Sequence, residues 1–414
     1  MMCMLYYEFK KLFSRTGSKL LVVLLGAILL VMAIYQIQSV TYVKPDGTSI
    51  SGFNAISKLK ESKSQWDGYL TEEQIQKVLQ TNQDILKDHP EYYPGTTDID
   101  LSNQVYSLTQ GFGDIRDMIN QSYSLFGQFD YYLIDRLSPS QSSVFYKNRI
   151  EGLENYLNAN DTLSASQKEY YRKQYEENKT PWYYSYQQGW QVLANSLSVL
   201  QIFTVVVISL LLASIFSYEE KTGAKQILMS SYKGKSKGVL SKISAGLLLT
   251  LGLYIFVVGI YMLIILSVFG FEGAFDPVQT NYFIGWKSPW NISNIQAIGI
   301  LFISGLIGGL IFSNITMFIS YKTKSTVIAS TASFLLILLP DWLTNFISGS
   351  SMVTWIKLFP DQLLNAKTNL TGFTSLEIQG HMISPLTIMN VAYVVLTIIL
   401  LMIIYVPAKK EYVK

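Results

Sequence analysis

The sequence predicts an all-α polytopic membrane protein: six transmembrane helices, with a mainly helical extracellular domain between the first and second. Three observations carry that prediction. Charged residues make up 15% of the 414 positions and mean hydropathy is +0.25, whereas soluble domains carry about 25% charge. Several stretches of roughly 18–28 residues contain no charge, enough to cross a hydrocarbon core about 30 Å thick at 1.5 Å per residue. Basic residues then concentrate in the short connections on one side.

The first span is expected over residues 20–37 (Leu20 to Ile37), the second over 197–216, the third over 243–268 and the fourth over 295–319. The fifth, 325–339, is cut short by Pro340 and Asp341, and the sixth covers 386–406. The first is too long for a secretory signal core and lacks a small-x-small cleavage site. Residues 1–19, 217–242, 320–324 and 407–414 hold 15 basic residues against 4 acidic ones. Lysine and arginine in short loops mark the cytoplasmic side, so both termini are expected inside a plasma membrane. All seven tryptophans fall on the opposite side, and an aromatic belt at the headgroup level is the expected reason.

Residues 38–196 have the Tyr-rich, mixed-charge composition of a soluble domain. Helix-start signals recur at Thr71-Glu-Glu-Gln74, Ser138-Pro-Ser-Gln141 and Ser164-Ala-Ser-Gln167. Each places a hydroxyl at the N-cap and a Gln three residues on, so that orphan backbone donors are satisfied reciprocally. The stripe Ile75, Val78, Leu79, Ile85 and Leu86 has helical spacing. Residues 340–385 are too polar to span but keep apolar pieces from Trp342 to Phe359, the pattern of short interfacial or re-entrant helices.

Several function classes fall away. A net charge of +3 gives no footprint for nucleic acid. One cysteine, Cys3, and two distant histidines, His89 and His381, leave no cysteine- or histidine-based metal centre. Gly234-Lys235-Ser236 imitates the end of a phosphate-binding loop, but Met229 stands where that loop needs glycine. The predicted spans carry no Asp, Glu, Lys, Arg or His. Ion-coupled carriers and intramembrane catalysts need such groups, so no catalytic residue, cofactor site or metal site is expected in this chain. Asn314 and Thr316 read as helix–helix hydrogen-bonding groups, and Gly305 and Gly309 as a small-xxx-small packing face.

Two segments invite a sharper reading. Leu5, Phe9, Leu12 and Phe13 share one helical face, with Glu8, Lys11 and Arg15 read as lying off it, so residues 1–19 form a basic amphipathic helix at the membrane surface. After the second span, Glu219 and Glu220 oppose the positive-inside trend. Gly223, the apolar run Ile227, Leu228 and Met229, and a lysine-rich return follow. An ordinary basic loop explains the lysines but neither the acidic pair nor the apolar run, so a cytoplasmic partner contact is expected.

These features resemble the ABC-2 type membrane subunits of ATP-binding-cassette exporters, particularly those of Gram-positive bacteria. The corresponding parts are the amphipathic Leu5–Phe13, the loop from Glu219 to Ser231 and the outer pieces from Trp342 to Phe359. The proline often found after the apolar run in that family is replaced by Ser231-Tyr232. The resemblance implies a cytoplasmic ABC ATPase contacting Glu219, Glu220, Gly223, Ile227, Leu228 and Met229. It also implies ATP and Mg on that partner rather than on this chain, and a second or related permease copy. Export of a hydrophobic or amphipathic peptide, lipid or drug follows from it. The alternative is a membrane receptor or immunity protein that binds a ligand through its extracellular domain without pumping.

Overall fold

In the computed structural model, residues 2–410 are described apart from 94, 126–127, 225, 227–229, 231–233, 344–355 and 374. The chain opens with α1 (Met2–Phe13) and α2 (Thr16–Gln38). An insert follows, containing β1 (Thr41–Val43), β2 (Ser49–Ser51), α3 (Phe53–Ser64), β3 (Gly68–Tyr69), α4 (Glu72–Asp88), α5 (Ile99–Thr109), α6 (Gly113–Tyr123), α7 (Phe145–Ala159), α8 (Ala165–Glu177) and β4 (Tyr183–Tyr184). The bundle resumes with α9 (Gln188–Leu212), α10 (Ser217–Lys221), α11 (Val239–Phe269), α12 (Asn294–Thr323) and α13 (Thr326–Leu343). It ends with α14 (Lys367–Thr371), β5 (Leu376–Ile378), β6 (His381–Ile383) and α15 (Pro385–Lys410).

Among the described residues, five helices are long and apolar enough to cross a membrane: α2, α9 with its continuation to Lys221, α11 with the turn before it, α12 and α15. Their exposed faces carry Leu20, Val23, Val31, Phe256, Leu263, Val391 and Met402, the apolar surface that lipid would cover. The fifth predicted span is the exception. The apolar part of α13, Thr326–Pro340, falls below the spanning length, and the helix runs through Pro340 to Leu343 instead of stopping at residue 339. The other helices also overrun the predicted boundaries, except that α9, which starts nine residues early, ends at Leu212 rather than at 216. Hydropathy marks the apolar stretch, whereas backbone hydrogen bonding continues into polar flanks.

α9 is the hub of the bundle, packing against α2, α11, α12 and α13. Gly305 and Gly309 face α9 and α11. A Cβ at 305 would lie 2.6 Å from Gln201 Cδ and also meet the Tyr254 hydroxyl. At that close approach Gln201 Nε2 donates to Leu301 O (3.0 Å) and Tyr254 Oη to Phe302 O (2.9 Å). Thr316 shares a 2.7 Å hydroxyl bond with Ser333 of α13, while the Asn314 amide bonds its own helix at Leu310 O.

The insert is mainly helical, with its own core of Ile75, Val78, Leu79, Phe112, Ile115, Ile119, Phe145, Trp182 and Trp286. Ser164 and Gln167 form the full reciprocal cap of α8. Thr71 accepts from Gln74 N at the start of α4, whereas the Gln74 side chain turns to Trp66 O. Antiparallel pairing of β3 with β4 closes the insert on itself. The headgroup-belt reading fails for three tryptophans. Trp182, Trp190 and Trp286 are buried inside the protein, and the rings of Trp182 and Trp286 meet edge-on at 4.9 Å.

Three connections gather at the insert end of the bundle. Arg149 of α7 donates to Trp286 O (3.2 Å) and Ser288 O (3.3 Å) in the α11–α12 connection. Tyr171 and Tyr175 of α8 pack against Phe373 ahead of β5. β5 and β6 form a hairpin absent from the sequence expectation, turned by Gln379 and Gly380, both at positive φ, as a two-residue type I′ turn requires. Before it, Pro360–Leu363 and Leu364 reach down to Gly308, midway along α12. That excursion brings the buried carboxylate of Asp361 among α12, α13 and α15. The predicted spans are free of Asp, Glu, Lys, Arg and His; the bundle they form is not. The rest of the expected interfacial segment, 344–355, lies outside the described residues.

Candidate functional site

The end of the bundle opposite the insert carries the residues expected to meet a partner. Glu219 lies on α10, directly after the α9 span, and is only 9% exposed. It accepts from Lys11 of α1 (2.9 Å) and from Lys242 of α11. Lys242 also donates to Glu8 (3.1 Å), and Glu8 pairs with Lys11. Two carboxylates and two ammonium groups thus form a charge-neutral ring joining α1, α10 and α11. Neutrality and mutual pairing are what make such burial tolerable, since an unpaired charge there would carry its full desolvation cost.

Glu8 departs from the sequence expectation. It was read as lying off the apolar stripe of α1, yet it stands three residues after Leu5 and four before Leu12. It therefore shares their face, and it is buried with Leu12 while Leu5, Phe9 and Phe13 are half-buried. α1 packs on the first turns of α11. Arg15 reaches the other side of α10, its guanidinium 4.2 Å from the Tyr218 ring centroid.

Glu220 faces outwards, its side chain 35% exposed and 3.1 Å from Lys324 in the α12–α13 turn. Ser217 bonds Thr326 at 2.7 Å beside it, and Ser320 donates to Ala213 O. Gly223 ends α10 at φ +71°, a left-handed position where glycine avoids the Cβ penalty. Lys221, Thr222, Gly223, Gln226 and Ser230 are exposed. Ile227, Leu228 and Met229 lie outside the described residues. Glu219 and Glu220, adjacent in sequence, thus face opposite ways: one fastens α10 to α1 and α11, the other stands at the surface.

Sequence reasoning missed Lys11 and Lys242 as partners of Glu219, and Glu8 as the second carboxylate on both lysines. Lys242 precedes a long apolar run and reads as a lysine reaching for the interface; only the fold shows it enclosed.

A second feature went unread. A cavity of about 490 Å³ opens where the insert meets the bundle. It is lined by Tyr35 and Gln36 at the end of α2, Lys63 of α3, Tyr106 of α5, Asp114 and Asp117 of α6, Gln188 and Gln191 of α9, and Tyr282 and Phe283 of the α11–α12 connection, among others. Lys63 donates to both oxygens of Asp114, at 2.9 and 3.0 Å. Burial, reinforced by the nearby Asp114 charge, raises the Asp117 carboxyl to about 7. Among the described residues no group of three or more His, Cys, Asp or Glu is placed to hold a metal ion.

Comparison with protein families and with curated proteins gives no match. The helical architecture and the two sites described above therefore carry the functional argument.

Proposed function

We propose that this chain is the membrane subunit of an ATP-driven exporter, crossing the membrane six times and working with a separate cytoplasmic ATPase and a second permease copy. In this reading the insert is extracellular, and α13 supplies the fifth of the six crossings. The observation that carries the proposal is the buried ring of Glu8, Lys11, Glu219 and Lys242. It fastens the amphipathic α1, the helix after the second span and the start of the third span into one mechanical unit, beside the exposed Lys221, Thr222, Gly223 and Gln226 of the expected docking loop. A partner docked on that loop would push on two spans and the surface helix together. ATP and Mg would reside on the partner, and a hydrophobic or amphipathic cargo suits the apolar bundle.

The burial of Glu219 changes the choice of test. Charge reversal there would disrupt the ring itself, so exposed positions are the informative ones. With Cys3 replaced by serine, Gln226→Cys in native membranes should cross-link to an ATPase that co-purifies near one-to-one in mild detergent. Purification without an ATPase, at every detergent strength, would overturn the exporter reading. It would then favour a receptor acting through the insert.

A further inference from the structure

The cavity at the insert–bundle junction holds more polar chemistry than packing requires, and its ion pairs leave one carboxylate over. Lys63 is occupied by Asp114 and by Gln188 Oε1, 3.2 Å away. Arg116 is occupied by Asp135, at 3.2 and 3.4 Å, and its guanidinium lies 4.8 Å from the Tyr131 ring centroid. The Asp117 carboxylate, which is half-buried, has no hydrogen bond or ion pair among the described residues. Gln191, 3% exposed, also lines the cavity, and its Nε2 has no acceptor. Buried polar groups are nearly always partnered, and each exception asks for an explanation.

The unpartnered groups specify what would complete them. Asp117 calls for a cation that can donate hydrogen bonds, and Gln191 Nε2 for an acceptor such as a carbonyl oxygen. Tyr35, Tyr106, Tyr131, Tyr282 and Phe283 offer aromatic surface for an apolar body and for cation–π contact. A protonated amine beside a carbonyl, followed by an apolar side chain, is the amino-terminal end of a hydrophobic peptide. The volume lies within the roughly 300–1,000 Å³ range of small-ligand sites.

We propose that this cavity binds the free α-ammonium end of a hydrophobic peptide, with Asp117 holding the ammonium group and Gln191 the first carbonyl. The statement concerns binding alone. It would name a cargo class for an exporter or a ligand class for a receptor, and failure of its test leaves the transport reading standing.

The test uses the full-length chain in lipid nanodiscs and two probes, leucyl-phenylalaninamide and its N-acetylated form, with empty nanodiscs subtracted. The free amine should bind at least tenfold more tightly than the acetylated form. Asp117→Asn should abolish that preference, and Gln191→Leu should weaken the free peptide while retaining the preference. Equal binding of the two peptides to the natural sequence, no binding of either, or a preference that survives Asp117→Asn would each overturn the proposal. Because the comparison between peptides is made on the natural sequence, a variant that folds poorly does not spoil it.

Discussion

Replacing Glu219 by glutamine and, separately, Glu220 by glutamine should have very different effects, though the residues are neighbours. Glu219 is enclosed between Lys11 and Lys242, with side-chain exposures of 11%, 17% and 5% respectively. Removing one partner of a buried pair costs about 3–5 kcal/mol, because it strands the opposite charge. Glu8 remains 3.1 Å from Lys242, which places Glu219→Gln near the lower end, about 3 kcal/mol. At 1.36 kcal/mol per decade, local opening of α1 becomes on the order of 100-fold more frequent. The Glu220–Lys324 pair is 35% and 49% exposed, and surface pairs contribute only about 0.2–1 kcal/mol, less than roughly sixfold. Amide hydrogen exchange over Leu5 to Phe13 in nanodiscs reads the difference directly. A double variant, Glu219→Gln with Lys242→Met, also removes the one charge left in excess and keeps the Glu8–Lys11 pair, so it should exchange more slowly than Glu219→Gln alone. Equal acceleration by Glu219→Gln and Glu220→Gln, or a double variant worse than the single, would refute the ring as the fastening of α1.

The remaining predictions concern packing, the insert and pH. Gly305→Ala should destabilise the bundle by about 1–3 kcal/mol through overpacking against Gln201 and Tyr254. Gly299→Ala, where a Cβ meets nothing within 4 Å, should leave thermal stability unchanged or slightly raised. Arg149→Met removes a buried guanidinium that holds the carbonyls of Trp286 and Ser288. Limited proteolysis should then cut between residues 270 and 293 faster, while bonds within α12 stay resistant. Asp117 holds its proton to about pH 7 when folded, against roughly 4 when unfolded. Folding therefore takes up a proton in that interval, and the contribution of Asp117 to stability falls as pH rises through it. Asp117→Asn should melt higher than the natural sequence above pH 7, by up to about 4 kcal/mol, with the advantage gone below about pH 4. Identical melting curves across that range would show that Asp117 is solvated rather than enclosed.

Much of the architecture was legible because apolar run length is a local property. Span positions followed from uninterrupted hydrophobic stretches, and the helical character of the insert from caps such as Ser164–Gln167. What stayed hidden depends on residues far apart in sequence. Glu219 and Lys242 bracket a single loop, but Glu8, the other carboxylate on Lys242, lies 234 residues before it. Trp286 belongs by sequence to a connection between spans, yet completes the core of the insert beside Trp182. Asp361 sits in a polar stretch and reads as exposed until the chain around Leu364 is seen descending to Gly308. In the cavity, Asp114 and Asp117 are an ordinary pair on an amphipathic helix. Only the placement of Lys63 and Gln191 distinguishes the satisfied carboxylate from the unsatisfied one.

The edge-to-face meeting of Trp182 and Trp286 also makes the protein its own optical gauge. One indole stands immediately before the strand that closes the insert, the other belongs to the connection between α11 and α12, and both are almost wholly screened from water. Any working stroke that lifts the insert off the bundle must pull these rings apart and wet them. Intrinsic emission would then shift to longer wavelength without a dye or an engineered site. Motion at this joint can thus be timed in the unmodified chain while a peptide or a partner is added.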